Sequence, residues 1–98
     1  MTRRTVQETI AARKAEGHGV LVAYLPAGFP TVEESVSAAI ATLDAGADIL
    51  EFGVPYSDPV MDGVVIAEAT QKALENGFKL KDLFPAIRAI TDGSDKPV

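Results

Sequence analysis

Two carboxylates stand close together in the middle of the chain, and their surroundings differ. Glu51 interrupts an apolar run at 48–54, and Asp62 follows on a loop rich in turn-forming residues. A carboxylate on a buried strand and one on a loop can hold different protonation states and so divide acid and base work. The pair is therefore the first candidate for catalysis, with Glu51 as the proton-transfer group.

Each carboxylate also has a purely structural explanation. A charged group on a buried strand is costly unless it is paired or hydrogen-bonded, so a backbone amide or a basic side chain could hold Glu51. Asp62 precedes Gly63, and the aspartate of an Asp-Gly turn usually bonds its own backbone. From the residues alone, the two explanations are equally supported for Glu51, and the structural one is favoured for Asp62.

The remaining residue types offer little for metal or covalent chemistry. The chain has no cysteine, which excludes disulfides, thiolate metal sites and cysteine nucleophiles. His18 is the single histidine and lies between two glycines ahead of the first strand. We expect it to be exposed and without a functional role. Scattered carboxylates and one histidine lack the spacing of metal ligands, so no metal site is predicted.

Composition is that of an ordinary globular protein that does not bind nucleic acid. Of the 98 residues, 47% are hydrophobic and 23% are charged, and the net charge is −5. Such a chain lacks the clustered Lys and Arg that a phosphate backbone requires. No apolar run approaches the roughly 20 residues of a membrane span, and the polar N-terminus does not look like a secretory signal. We expect a cytoplasmic protein with no membrane partner.

Hydrophobic spacing predicts helices and strands in alternation. The apolar runs at 20–25 and 48–54 are continuous, which is typical of parallel strands buried on both faces. Helices are predicted at 4–15, between Thr31 and Gly46, at 64–75 and at 82–91. The last residues, 96–98, look like the start of a third strand.

Local signals mark several helix ends. Thr31 and Glu34 have the spacing of a capping box, in which each side chain bonds the other residue's amide. Gly46 is placed to end that helix in a left-handed conformation. Pro85 is tolerated in the last helix if Asp82 is its N-cap, because the amides of a first turn have no helical partner.

The spacing of the strands predicts a (β/α)8 barrel, an α/β fold. Leu21 and Leu50, one in each strand, are 29 positions apart, close to the about 31 residues per unit of a barrel of roughly 250 residues. Two strands and the start of a third cannot close a barrel, so we expect residues 1–98 to be the N-terminal part of a single barrel domain. Side chains near the carboxyl ends of barrel strands face the active site, and Glu51 lies near such an end.

The segment at 50–63, which reads L-E-F-G-V-P-Y-S-D-P-V-M-D-G, resembles the signature of the tryptophan synthase alpha subunit family. That pattern is L-E-x-G-x-P-[YF]-S-D-P-x-x-D-G, and every fixed position is matched. The similarity extends to the turn at 27–30 and the helix at 67–74. Val60 and Met61 depart from the more usual Leu-Ala, which should reshape the packing of the loop without disabling the site.

The resemblance implies a lyase of tryptophan biosynthesis. Such an enzyme cleaves indole-3-glycerol phosphate to indole and glyceraldehyde 3-phosphate by a retro-aldol reaction and passes indole to a beta subunit in an alpha2-beta2 complex. No cofactor is expected in this chain, since pyridoxal phosphate belongs to the beta partner. Phosphate-binding glycines are expected after strands 7 and 8 of such a barrel, beyond Val98. We therefore expect the 98-residue chain alone to be inactive.

The resemblance also implies roles for individual residues. Glu51 and Asp62 match the family's two catalytic carboxylates. Tyr24 matches an aromatic residue, often Phe, that lies against the indole pocket and binds substrate. Asp58 and Pro59 lie on a loop that contacts the beta subunit and relays signals between the active sites.

Two other interpretations stay open. The strand–helix repeat also suits another phosphate-handling barrel, an isomerase or an aldolase, although neither predicted strand carries the lysine that a Schiff-base aldolase needs. A non-catalytic binding or assembly module, acting through the open edge of a partial barrel, is the second.

Overall fold

Residues 4–56 and 62–98 are described by a computed structural model. Their helices and strands are α1 (Val6–Ala15), β1 (Val22–Pro26), α2 (Val32–Asp44), β2 (Ile49–Gly53), α3 (Val64–Glu75) and α4 (Leu80–Gly93). The order agrees with the sequence prediction, and α3 has the predicted bounds. None of the described helices is long and apolar enough to cross a membrane.

The two strands form a parallel pair. In their register, Tyr24 on β1 is the partner of Glu51 on β2. Along the other edge of β2, the amide of Leu50 donates to the carbonyl of Pro97 at 3.0 Å. Pro97 therefore lies beside β2, where the sequence predicts the start of a third strand, but the sheet of the described residues has only β1 and β2.

One face of the sheet is covered by α2 and α4. Their buried side chains meet those of β2 in a core cluster of Ala39, Leu43, Ala47, Leu50 and Ile90. A second cluster, beside the end of β1, consists of Ala27, Ala73, Phe78 and Leu83. Removing apolar side chains from water in this way is the dominant stabilising term in folding, at about 25 cal/mol per Å² of buried area.

The other face of the sheet is uncovered at β1 within the described chain, so the prediction of burial on both faces is wrong for β1. On β2 the same face includes Ile49, which is buried. Ala23 and Leu25 pack against the first core cluster, and the alternate residues Val22 and Tyr24 are 46% and 41% exposed. Glu51 shares the face of Tyr24 and is exposed as well. The strand is apolar on both sides, but α2 and α4 cover only one of them.

Two threonines begin helices. The Thr31 hydroxyl accepts the amide of Glu34 at 3.2 Å, which confirms the predicted N-cap of α2. The described residues form only this half of the predicted capping box; both halves form at α1, where Thr5 and Glu8 bond each other's amides at 3.0 and 3.1 Å. After α2, Gly46 has a positive φ of 127°, which lets the chain turn towards β2.

The start of α4 corrects the predicted role of Asp82. Lys79 is the N-cap, and the Asp82 carboxylate reaches back from inside the helix to accept the Lys79 amide at 2.9 Å. A carboxylate in the first turn satisfies an amide without a helical partner and interacts favourably with the helix dipole. Pro85 consequently lies deeper in α4 than predicted. It is on the exposed side, where water can bond the carbonyl that loses its helical donor.

A polar cluster joins the helices to the amino ends of the strands. Asp48 accepts the amide of Leu21 at 2.9 Å, and its other oxygen lies 3.2 Å from Nε of Arg13 in an ion pair that lacks hydrogen-bond geometry. The ammonium of Lys96 donates to the carbonyl of Leu43, in the last turn of α2, at 2.6 Å and to that of Ala47, in the turn before β2, at 2.8 Å. These contacts fix the end of the sheet that is opposite to the predicted site.

Candidate functional site

The carboxyl ends of β1 and β2 bring two predicted site residues onto one face of the sheet. Tyr24 and Glu51 are register partners in a parallel pair, and partners of this kind point to the same face. This is the face that α2 and α4 leave open. A ligand approaching the sheet from this side therefore meets both side chains.

The Glu51 carboxylate is exposed and has no hydrogen-bond or ion-pair partner among residues 4–56 and 62–98. The structural explanation, in which a backbone amide or a basic side chain holds this group, has no support in the described chain. A carboxylate that faces an open surface without a partner can reach a bound ligand, as proton transfer requires.

The negative charges of the predicted site act on the pKa of Tyr24. Partial burial raises the pKa of the Tyr24 phenol above its usual value of 10.0, and the negative charges of Asp62, ionised Tyr56 and Glu51 raise it further. The charge of Asp62 therefore acts on a residue of β1. The phenol stays protonated at neutral pH and can donate a hydrogen bond.

Asp62 is half-buried and directly precedes Gly63, the N-cap of α3. Gly63 has no side chain with which to bond the first amides of the helix, and a helix N-terminus favours a nearby negative charge. The turn explanation, in which Asp62 bonds its own backbone, finds no such bond among the described residues. Its charge acts on the phenol of Tyr24, which is the register partner of Glu51.

Two predicted residues cannot be placed. Asp58 and Pro59, the predicted contacts to a partner, belong to the segment 57–61, which lies outside the described residues. Their role stays a prediction. His18 is exposed, as predicted, on the turn ahead of β1.

The loop after β1 is held in place by a buried serine that the sequence analysis missed. The amide of Gly28 donates to Oγ of Ser35 at 3.0 Å, and the Ser35 hydroxyl donates to the carbonyl of Val32 at 2.7 Å. Ser35 is 2% exposed, and a serine inside the apolar stripe of α2 is the signal that could have revealed it. One residue earlier, the amide of Ala27 extends the sheet by donating to the carbonyl of Gly53 at 2.8 Å.

The turn between α3 and α4 packs against the loop after β1. The ring of Phe78 lies against Gly28, whose φ is 83° and whose position leaves no room for a Cβ. The side-chain amide of Asn76 donates to the carbonyl of Pro30. Nothing in the sequence distinguishes Asn76 from a surface residue. Together these contacts fix the loop that borders Tyr24.

The described side chains suit proton transfer at an apolar ligand. Two carboxylates and a neutral phenol can accept, donate and move protons. An apolar groove of about 500 Å³, lined by residues of α1, both strands and α4, includes Glu51. Among the described residues, no group of three His, Cys, Asp or Glu side chains is arranged to hold a metal ion.

Known proteins match the chain over nearly its whole length. A model of the family described as tryptophan synthase alpha chain matches residues 10–98. The tryptophan synthase alpha chain of Leifsonia xyli is 58% identical over 93 residues, which are 95% of this chain and 36% of that protein. The chain spans about a third of the length of the curated relatives it matches.

Solved structures share the fold. Tryptophan synthase from Mycobacterium tuberculosis is 40% identical with a TM-score of 0.89, and the match covers 100% of this chain and 38% of that one. The tryptophan synthase complex from Pyrococcus furiosus is 38% identical with a TM-score of 0.74, over 81% of this chain and 32% of that one. These similarities confirm the predicted fold class, a part of a (β/α)8 barrel.

Proposed function

Because the chain belongs to the tryptophan synthase alpha chain family, we propose that it carries the catalytic carboxylates of a lyase that cleaves indole-3-glycerol phosphate to indole and glyceraldehyde 3-phosphate. The observation that carries the proposal is the pairing of Tyr24 with an exposed, unpartnered Glu51 at the ends of adjacent parallel strands, with the charge of Asp62 acting on the same phenol. In a (β/α)8 barrel, this end of the strands holds the active site.

Cleavage requires two proton transfers, and we assign both to Glu51. The indole ring carbon that bears the side chain must gain a proton, which makes the ring a leaving group. The hydroxyl on the adjacent side-chain carbon must lose its proton as the carbon–carbon bond breaks and the aldehyde forms. One carboxyl group lying between the two atoms can give the first proton and accept the second. The free, exposed carboxylate of Glu51 supports this role.

We assign the stabilisation of charge to Asp62. Protonation of the ring carbon places positive charge on the indole nitrogen, and an ionised carboxylate that accepts the ring N–H stabilises that charge as it develops. Asp62 directly precedes the N-terminus of α3, where a negative charge interacts favourably with the helix dipole. Tyr24, on the same face, would contact the indole ring.

A partner follows from the same proposal. We expect the loop that holds Asp58 and Pro59 to contact a beta subunit, to which indole would pass, and the similarity to a solved tryptophan synthase complex supports this expectation. The cleavage uses carboxyl groups alone, so no cofactor is proposed for this chain. Pyridoxal phosphate would belong to the beta subunit.

The test is indole release from indole-3-glycerol phosphate by the full-length protein together with its beta subunit. Glu51→Gln keeps the size of the side chain and removes its acid and base function. We expect kcat to fall by about 10²–10⁴-fold, the usual contribution of a general acid–base group, while binding of substrate is largely kept.

Glu68→Gln is the matched control, because Glu68 is an exposed carboxylate on α3. Its kcat should equal that of the wild-type protein. Near wild-type turnover by Glu51→Gln would make Glu51 a structural carboxylate. No release of indole by well-folded wild-type protein would instead point to another barrel enzyme or to a non-catalytic module.

A further inference from the structure

The phenol of Tyr24 crosses from β1 to β2 and lies on the backbone of Gly53. A Cβ built on Gly53 would collide with three atoms of this phenol, Oη, Cζ and Cε2, all closer than real Cβ contacts allow. The space that a side chain at position 53 would need is therefore already filled by Tyr24. Gly53 was not among the residues that the sequence marks as functional.

Neither backbone at this level is free to move away. Pro26 is the register partner of Gly53, and the Gly53 carbonyl accepts the amide of Ala27 at 2.8 Å. The strands are thus bonded to each other beside the contact. A larger side chain at position 53 must therefore displace the ring of Tyr24 rather than the two strands.

The phenol is held by packing rather than by a polar partner. Among the described residues, its hydroxyl makes no hydrogen bond, and the residue is 41% exposed on the open face. Its ring therefore presents a flat surface next to Glu51. The distance of this surface from the sheet is set by the absence of a side chain at Gly53.

We propose that Tyr24 and Gly53 form a specificity-determining pair that sets the depth of the subsite for the aromatic ring of the substrate. The inference rests on the proposed lyase function and adds a substrate preference to it. With glycine at 53, the phenol lies deep and the ring subsite takes an unsubstituted bicyclic aromatic. Loss of the hydroxyl deepens the subsite by about one atom, and a methyl group at 53 makes it shallower by lifting the ring.

The experiment compares indole-3-glycerol phosphate with an analogue that carries a methyl group on the benzene ring of the indole, using the full-length protein with its beta subunit. The ratio of kcat/KM for the two substrates is measured. Tyr24→Phe should shift the ratio towards the methylated substrate by about tenfold, the lower end of what one methyl-sized space is worth in a pocket. Gly53→Ala should shift it in the opposite direction.

One control matches these variants. Gly19→Ala adds the same methyl group at an exposed glycine with nothing within 4 Å of the new Cβ, and it should not move the ratio.

The outcomes separate the two proposals. An active wild-type enzyme whose substrate ratio is unchanged in Tyr24→Phe would overturn the specificity pair and leave the lyase function standing. Absence of indole release by the wild-type enzyme would overturn the lyase function and the pair with it. If Gly53→Ala fails to fold, as circular dichroism would show, Tyr24→Phe still decides, since it removes a single oxygen atom.

Discussion

At the scale of the residue, the surroundings of Asp62 depend on its neighbour Gly63. Gly63 caps α3 without a side chain. Asp62 directly precedes it, where a negative charge interacts favourably with the helix dipole, and the charge of Asp62 also acts on the phenol of Tyr24. Asp62→Asn keeps the shape of this side chain and removes the charge that would stabilise the protonated indole. We expect kcat for indole release to fall by about 10²–10³-fold.

Two further variants distinguish this fall in kcat from a general effect of removing a negative charge. Asp62→Glu retains the carboxylate at a shifted position and should lose less activity than Asp62→Asn. Asp92→Asn removes an exposed carboxylate near the end of α4 and should leave kcat unchanged. Equal rates for Asp62→Asn and Asp92→Asn would show that Asp62 has no part in the reaction.

Single residues were predictable where their chemistry is local. The types of Glu51 and Asp62, and the break after the second strand, are visible in the sequence. The contact of Tyr24 with Gly53 is not visible, because it depends on the register between two strands that are distant in sequence. The exposure of Glu51 was likewise hidden, since it depends on which face of the sheet the helices cover.

At the scale of the element, Ser35 joins α2 to the loop after β1. Its Oγ accepts the buried amide of Gly28 at 3.0 Å, so Ser35→Ala leaves that amide without a partner and out of reach of water. A buried polar group without a hydrogen-bond partner costs about 1–3 kcal/mol of stability. We expect the free energy of unfolding of the full-length protein to fall by this amount, as measured by urea denaturation.

Ser37→Ala is the control on the same helix, because Ser37 is exposed. It should change the free energy of unfolding by less than about 0.5 kcal/mol. A loss for Ser35→Ala no larger than that of Ser37→Ala would mean that the loop relaxes and that the serine does not hold it.

The elements were predicted best where their end signals are unambiguous. Glycines at 63 and 77 enclose α3, and the prediction of its bounds is confirmed. The start of α4 was misplaced because Asp82 can serve a helix either as its N-cap or from within the first turn, and only the bond to Lys79 distinguishes the two. The strands were predicted slightly long because apolar runs do not mark where pairing begins.

At the scale of the whole molecule, the repeat of strand and helix was enough to predict the barrel class, since parallel strands need helical crossovers of regular length. What the repeat could not predict is the asymmetry of the sheet in this chain. The helices α2 and α4 bury one face in a core cluster, whereas the site face with Tyr24 stays open.

This asymmetry bears on the stability of the 98-residue polypeptide on its own. Large apolar side chains are exposed at both ends of the sheet and at the start of α3; Leu21 is 59%, Val64 73% and Val65 78% exposed. Small domains bury only about 60% of the surface that their unfolded chains expose, and an uncovered sheet face lowers that share further.

We expect the isolated polypeptide to lack cooperative thermal unfolding and to bind a hydrophobic dye such as ANS. Circular dichroism during heating, with the full-length protein as the reference, measures this. A sharp, reversible transition of the isolated monomer without dye binding would mean that the two core clusters are sufficient for folding, and that the open face is a tolerated surface of the molecule.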